Sequence, residues 1–316
     1  MIIEDKVYST YKINDPLAID LINTKLFQRL KHINQFGLPD EYFYKNGFSR
    51  YEHSIGVYIL LDKLGADEEE KIAGLLHDIS HTAFSHLVDW AIGDRTEENY
   101  QDNMLLTVLG DEEISKILMK GGYDFVRIAN ESNFSLLERE VPDLCADRID
   151  YVLREGGLDR IEEIVANLRV INNTIVFSGM KEALLFGRHF LFLQTNCWGG
   201  YEGVTRYNIF SKLLKNALES GDISIEDFWK TDDEIIAKLK NKNNKKYNKI
   251  FSILSKKDLS SLNCSSEKVC KKFRYVDPEI IINSKITKLS DINEDFAQDL
   301  IKAKEKNKEG IYPGTL

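Results

Sequence analysis

The 316-residue chain is poor in cysteine, in histidine and in uninterrupted apolar sequence, and it is short of positive charge. Its four cysteines, Cys145, Cys197, Cys264 and Cys270, have no Cys-x-x-Cys spacing, and nothing resembles a secretion signal, so a reducing cytoplasm is the expected compartment. No apolar run reaches the roughly 18 residues that a membrane span needs. The nearest, around 183–193, is broken by Gly187, Arg188 and His189, and no membrane partner is expected. Lysine and arginine number 42 against 51 aspartates and glutamates, a net charge of −9. That balance argues against a protein that coats nucleic acid through its overall field. What is left, 43% hydrophobic and 29% charged, is the make-up of a globular protein long enough to bury a sizeable core.

The six histidines are unevenly spread, and three fall within ten residues, in Leu75-Leu76-His77-Asp78-Ile79-Ser80-His81-Thr82-Ala83-Phe84-Ser85-His86. Read as a helix, this stretch stacks His77 and His81 on one face at i and i+4, with Asp78 about 100° round from His77. One helix can then aim imidazole and carboxylate at a single point, although an isolated pair of this kind also serves helix packing.

Around it the spacing predicts a mainly α chain. Asp15 and Pro16 open a helix whose apolar positions continue to Gly37. An aromatic loop over 38–50 leads into Arg50-Tyr51-Glu52-His53 and a second helix, with His53 in its first turn, where the helix dipole favours the neutral imidazole that a metal needs. Further helices are expected at 104–120, 135–157, 180–196 and 202–219, with a small β-hairpin over 168–178 turning at Asn172-Asn173. Asp143, Asp147, Asp150 and Arg154 recur at three- and four-residue steps. They form either a solvated ion-pair face or, given the apolar residues between them, carboxylates near the interior that require a cation. Residues 1–220 are expected to form the core and 221–316 a mixed α/β C-terminal appendage. Eleven lysines between Lys238 and Lys272 suggest a flexible basic segment within it, either simply solvated or anchoring a polyanion.

The order His53, His77-Asp78 and a later helical aspartate resembles the HD-domain metal-dependent phosphohydrolases. Within them it is similar to the branch containing the deoxynucleoside triphosphate triphosphohydrolases. Phe27-Gln28-Arg29-Leu30 with Gln35, Ser49 to Val57, Leu75 to His86, and Asp147-Arg148-Ile149-Asp150-Tyr151 carry the likeness over roughly residues 5–200, and 274–278 resembles the segment where the branch's C-terminal part resumes. The resemblance implies an HD-domain helical fold and a divalent ion (Mn, Fe, Co, Ni, Zn or Mg) bound by His53, His77, Asp78 and Asp147, a mixed nitrogen and oxygen set suited to such ions. It further implies His81 and Asp89 as an acid/base pair and His86, Arg50, Arg148 and Arg188 as phosphate contacts. Gln35, Tyr151 and Glu155 would lie at the sugar, with Asn196 at the substrate, and the protein would be a homo-oligomer.

Two departures accompany the likeness. Branch members place a His-Glu pair after the HD stretch, whereas this chain has Arg95-Thr96-Glu97-Glu98 and no histidine between His86 and His189. Glu97 or Glu98, raised in pKa by burial, would then donate the proton, or His81 would act alone. The branch's tyrosine beside the deoxyribose is also replaced, by Asn196, which leaves the sugar open. The expected function is hydrolysis of a nucleotide, a (d)NTP to nucleoside and triphosphate. The alternatives are hydrolysis of another nucleotide or phosphoester, and a metal- and nucleotide-binding regulator with little turnover.

Overall fold

The chain opens with strands β1 (Ile2–Asp5) and β2 (Ser9–Lys12), an antiparallel pair. The Asp15 carboxylate accepts the Leu17 amide and Pro16 takes the first helical position, starting α1 (Pro16–Ile22) as the sequence predicts. The helix does not continue to Gly37. The Thr24 hydroxyl accepts the Phe27 amide and caps a new helix, α2 (Lys25–Arg29), because a side-chain oxygen placed there competes with the helical ladder. A 3₁₀ turn follows, and the backbone is extended by Ile33. Residues 34–49 therefore form a loop closed by an Asn34–Ser49 bridge.

Ser49 and Glu52 form a reciprocal capping box that begins α3 (Arg50–Leu64), and Asp67 caps α4 (Glu68–Leu76). The helix expected through His77 and His81 stops at this point. His77 is the C-cap of α4, residues 77–86 are turns with positive φ at Phe84 and Ser85, and helix resumes as α5 (Leu87–Ala91). The Arg29 guanidinium donates to the carbonyls of Ile79 and His81, and Ala83 N donates to the Phe228 carbonyl, so tertiary partners take the groups a helix would have used. The next predicted helix is divided by the Asp111 cap into α6 (Tyr100–Leu109) and α7 (Glu112–Lys120), followed by α8 (Phe125–Ile128). The one expected over 135–157 is confined to α9 (Ala146–Glu155), which ends at Gly156.

After α10 (Ile161–Ala166), β3 (Leu168–Ile171) and β4 (Thr174–Phe177) form the predicted hairpin, with Asn172 and Asn173 both at positive φ as a type I′ turn requires. Helix α11 (Met180–Phe192) passes into a π-helical turn over Leu193–Trp198, and α12 (Tyr201–Glu219) follows. The remainder comprises α13 (Asp232–Asn241), α14 (Lys245–Leu254), β5 (Asn263–Cys264), β6 (Glu279–Ile282), β7 (Lys285–Lys288), α15 (Leu289–Ile292), α16 (Glu294–Glu309) and β8 (Gly314–Thr315). The structure, a computed structural model, describes residues 1–316. It is mainly α, with small sheets, and no helix is long and apolar enough to cross a membrane.

Residues 221–316, expected as an appendage, pack into the same two cores as the rest. Strand β6 lies parallel to β4 in a sheet ordered β3-β4-β6-β7, and Val276, Ile280 and Phe296 are buried with Ile59, Ile149 and Phe190. The lysine-rich stretch is structured rather than flexible. Its Leu239, Tyr247, Phe251 and Leu254 fill a second core with Phe36, Phe84 and Phe210. Arg206, fully buried, donates to the carbonyls of Tyr42, Leu254 and Lys256 and ties α12 to both sides of that core.

Helices α3 and α9 cross at Gly56, where a Cβ would lie 1.9 Å from Arg154 Nη2 and 2.1 Å from Asp150 Oδ1. Gly56→Ala is therefore expected to destabilise the protein by about 1–3 kcal/mol through overpacking, despite alanine's better helix propensity. Chemical denaturation measures it, and an unchanged midpoint would show that the Arg154–Asp150 pair gives way freely.

Candidate active site

Three elements deliver the side chains expected as metal ligands to one point. His53 comes from the first turn of α3, His77 and Asp78 from the C-terminal end of α4, and Asp147 from the first turn of α9. His53 Nε2 lies 3.2 Å from His77 Nε2 and 2.9 Å from Asp147 Oδ1, and His77 Nε2 is 3.6 Å from Asp147 Oδ1. Asp78 approaches the two imidazoles at 3.7 and 3.6 Å while its Oδ2 accepts Arg50 Nη1 at 2.7 Å.

The tautomers follow from the outer partners. His77 Nδ1 is 2.7 Å from the Gly74 carbonyl, an obligate acceptor, and His53 Nδ1 is 2.7 Å from Asp150 Oδ2, so in both neutral rings the proton sits on Nδ1. Two Nε2 lone pairs then face each other beside a carboxylate, an arrangement that calls for a cation between them. Ligand separations near 3 Å are what donors about 2.1 Å from a common ion produce. The electrostatics agree. Burial works against a charged His77, yet Asp78 and Asp147 outweigh it and push the imidazole up to about 10. The cluster is short of positive charge, and the donor set fits a divalent metal.

Asp150 holds this arrangement from behind. It is fully buried, takes the His53 N–H, and accepts both Arg154 Nε at 3.0 Å and Nη2 at 2.9 Å, while Arg154 also bonds Asp5. Its signal in the sequence was its place one turn after Asp147.

His81 and His86 lie side by side with ring centroids 5.0 Å apart, facing the same pocket. His81 Nε2 is 3.2 Å from Asp78 Oδ1 without hydrogen-bond alignment. Burial, helped by Arg50, lowers its pKa to about 4, and burial lowers His86 likewise, so both are neutral at physiological pH. Asp89 lies behind the pocket wall, where its Oδ1 accepts the Tyr100 amide and its Oδ2 is 3.7 Å from His86 Nδ1. It touches His86, not the His81 it was paired with.

The expectation for Glu97 and Glu98 is corrected. The Glu97 side chain is exposed and outside the pocket lining. Glu98 lines the pocket, but although burial would raise its pKa, Arg274 at 2.6 Å, Lys271 and His86 hold it down at about 2. A carboxylate kept ionised cannot donate a proton at neutral pH. Arg188 and Asn196 are corrected as well: Arg188 is exposed and bonds Asp299, and Asn196 bonds the Phe192 carbonyl, both on a separate shallow surface depression.

The pocket itself, about 380 Å³, brings together Gln35, Arg50, His77, Asp78, His81, His86, Asp147, Arg148, Tyr151 and Glu155. Aromatic rings of Phe36, Phe43, Tyr151, Trp198 and Tyr207 form much of its wall. Glu155 accepts Trp198 Nε1 at 2.7 Å and pairs with Lys45. Arg148 pairs with Glu138 at 2.6 Å, and the buried Oε1 of Gln35 has no partner. Lys271, Lys272, Arg274, Glu131 and Glu138 also line it; the first two end the lysine-rich segment and Arg274 opens the stretch that resembles the branch, whereas Glu131 and Glu138 had no signal in the sequence. A more open groove of about 700 Å³, beside Tyr11, Asp62, Lys71 and Tyr123, contains none of the histidines.

Comparison with known proteins agrees with this geometry. The HD domain family model matches residues 50–155, which run from α3 to α9 and include the four expected ligands. The uncharacterized protein YdhJ of Bacillus subtilis is 35% identical, the alignment covering 99% of this chain and 98% of that one. The metal-dependent phosphohydrolase cns2 of Cordyceps militaris is 26% identical, covering 89% and 85%. The deoxynucleoside triphosphate triphosphohydrolase SAMHD1 of Homo sapiens is 35% identical over only 28% of this chain and 16% of its own. Among solved structures, a phosphohydrolase from Bacteroides thetaiotaomicron superposes with a TM-score of 0.69 at 17% identity over 95% of this chain and 96% of its own, a likeness of fold. The chain thus carries an HD domain over residues 50–155, with the His53, His77 and Asp147 cluster inside it, and along most of its length it is a homologue of a metal-dependent phosphohydrolase.

Proposed function

We propose that the substrate is a nucleotide and that the reaction converts a (d)NTP to nucleoside and triphosphate. The observation that carries the reading is one pocket holding the metal-ligand cluster, an aromatic wall that suits a nucleoside, and cationic side chains that suit phosphate. The matched stretch of SAMHD1, a protein whose name states this activity, supports it.

A divalent ion held by His53, His77, Asp78 and Asp147 would polarise a phosphate oxygen and acidify bound water. The chain's own groups would do the rest. His81, neutral and beside the cluster, is able to take a proton from an attacking water. Arg50 keeps Asp78 ionised, and Tyr151, wedged between Phe190 and Trp198, offers its ring to the sugar. The unpartnered Gln35 oxygen would accept a sugar hydroxyl. The same reading includes a homo-oligomer, which light scattering on the purified protein tests.

A second reading, hydrolysis of another nucleotide or a simple phosphoester, is favoured by the absence of Arg188 and Asn196 from the pocket. Purified protein with Mn and a nucleotide panel separates the two. Triphosphate release, lost in His77→Ala and Asp78→Ala, supports the first, whereas orthophosphate alone supports the second. Nucleotide binding with no product at any metal would instead identify a regulatory binding protein.

A further prediction concerns the replaced acid. Glu97→Gln should leave kcat/KM within about twofold, whereas Glu98→Gln should lower it by freeing Arg274. A fall of about 10²-fold or more for Glu97→Gln, the usual size of a general-acid contribution, would restore Glu97 to the chemistry.

A further inference from the structure

Five lysine and arginine side chains line the pocket. Three are committed to carboxylates: Arg50 to Asp78, Arg148 to Glu138 and Arg274 to Glu98. Lys271 and Lys272 have none. The Lys271 ammonium sits 3.7 Å from the centroid of the Tyr207 ring, and Lys272 Nζ meets only the Glu97 carbonyl at 2.7 Å. Both belong to an extended strap between β5 and β6 whose backbone is fastened on several sides. Val269 and Ile311 exchange two backbone bonds, and Asn307 Nδ2 donates to the Lys271 carbonyl. Gln194, buried in the π-helical turn, donates to the Lys272 carbonyl and accepts the Arg274 amide. The strap's cations are thus without carboxylate partners on a backbone that is fastened in place, which lowers the part of the entropic cost of holding an anion that comes from ordering the chain.

We propose that this strap is the polyphosphate-binding wall of the pocket, with Lys271 and Lys272 holding the phosphoryl groups that do not lie at the metal cluster. The inference rests on the nucleotide reading above and deepens it by naming the residues that would favour a polyphosphate chain over a single phosphate. It also answers what replaces Arg188, which the fold turns away from the site. The surroundings of Lys271 add a pH signature. Burial lowers its amine to about 8, with Glu98 and Glu155 pulling the value up and Arg274 pushing it down. Its positive charge is full below that value and lost above it.

The test is calorimetric binding of inorganic tripolyphosphate and of orthophosphate to the full-length protein as purified, at pH 7 and pH 9. Tripolyphosphate should bind more tightly than orthophosphate. Lys271→Ala and Lys272→Ala should each weaken tripolyphosphate about 10-fold or more, as expected on losing a charge-assisted contact, and leave orthophosphate within about twofold. Lys271→Arg should keep the affinity and remove its decline at pH 9, and Arg188→Ala should change nothing. Equal binding of the two anions, or equal affinity in wild type and both alanine variants, would overturn the strap assignment. Loss of tripolyphosphate binding in the variants, with no triphosphate released from any nucleotide by the wild type, would uphold the strap and sink the triphosphohydrolase reading.

Discussion

The site depends on one buried carboxylate. Asp150 is sealed between α3 and α9, and it stays ionised there because Arg154 forks onto both its oxygens and His53 donates to one of them. Removing any member would leave a charge or a donor stranded in the interior, the costly outcome of breaking a buried ion pair. Its presence fixes the proton of His53 on Nδ1 and so turns Nε2 toward His77 and Asp147. The helices can come close enough for this only because position 56 has no side chain. Helix packing, imidazole tautomer and metal geometry are therefore one constraint.

A second carboxylate ties the C-terminal third to the chemistry. Asp232, at the start of α13, accepts the Asn34 amide at 2.8 Å and the Phe84 amide at 2.7 Å. Those two amides belong to the loops that carry Gln35 and the pair His81 and His86. Ser85 Oγ closes the same junction by donating to the Asn34 carbonyl and accepting Arg50 Nε. Residues distant in sequence thus set the loop that local spacing would have made a helix. For this reason 221–316 cannot be regarded as an addition to a finished domain.

What was legible in the sequence is what is carried by short-range rules. The Asp15 cap and the Asn172-Asn173 hairpin each need only neighbours a few residues away, and each is found; His53, His77 and Asp147, picked out by resemblance, do come together. The helix through His81 was misread because Ile79, Ala83 and Phe84 do have helical spacing, while the bonds that break it come from Arg29, Phe228 and Asp232. Glu98 was misread for the same kind of reason: its ionisation is decided by Arg274, 176 residues later. Arg188 follows Gly187, which packs so closely on the Phe296 ring that a Cβ would meet it at 2.9 Å. That contact turns position 188 outward, a rotation no periodicity reveals.

The pocket's charge is divided in a way that bears on the order of assembly. Asp78 and Asp147 stay ionised at the ligand cluster, while burial raises Glu131 to about 8 and Glu138 to about 7 and so favours their protonated forms. A phosphate approaching that wall alone meets repulsion made stronger by the low local dielectric. A divalent cation reverses the sign of the field where the scissile bond must lie. On the other side Glu98 is neutralised by Arg274, so the strap keeps a net positive face without any metal. On the proposed reading an extended anion would meet the strap first, and a divalent ion held by His53, His77, Asp78 and Asp147 would offset the negative charge that keeps its other end from His81. The division of charge would then tie productive binding, as well as chemistry, to the metal.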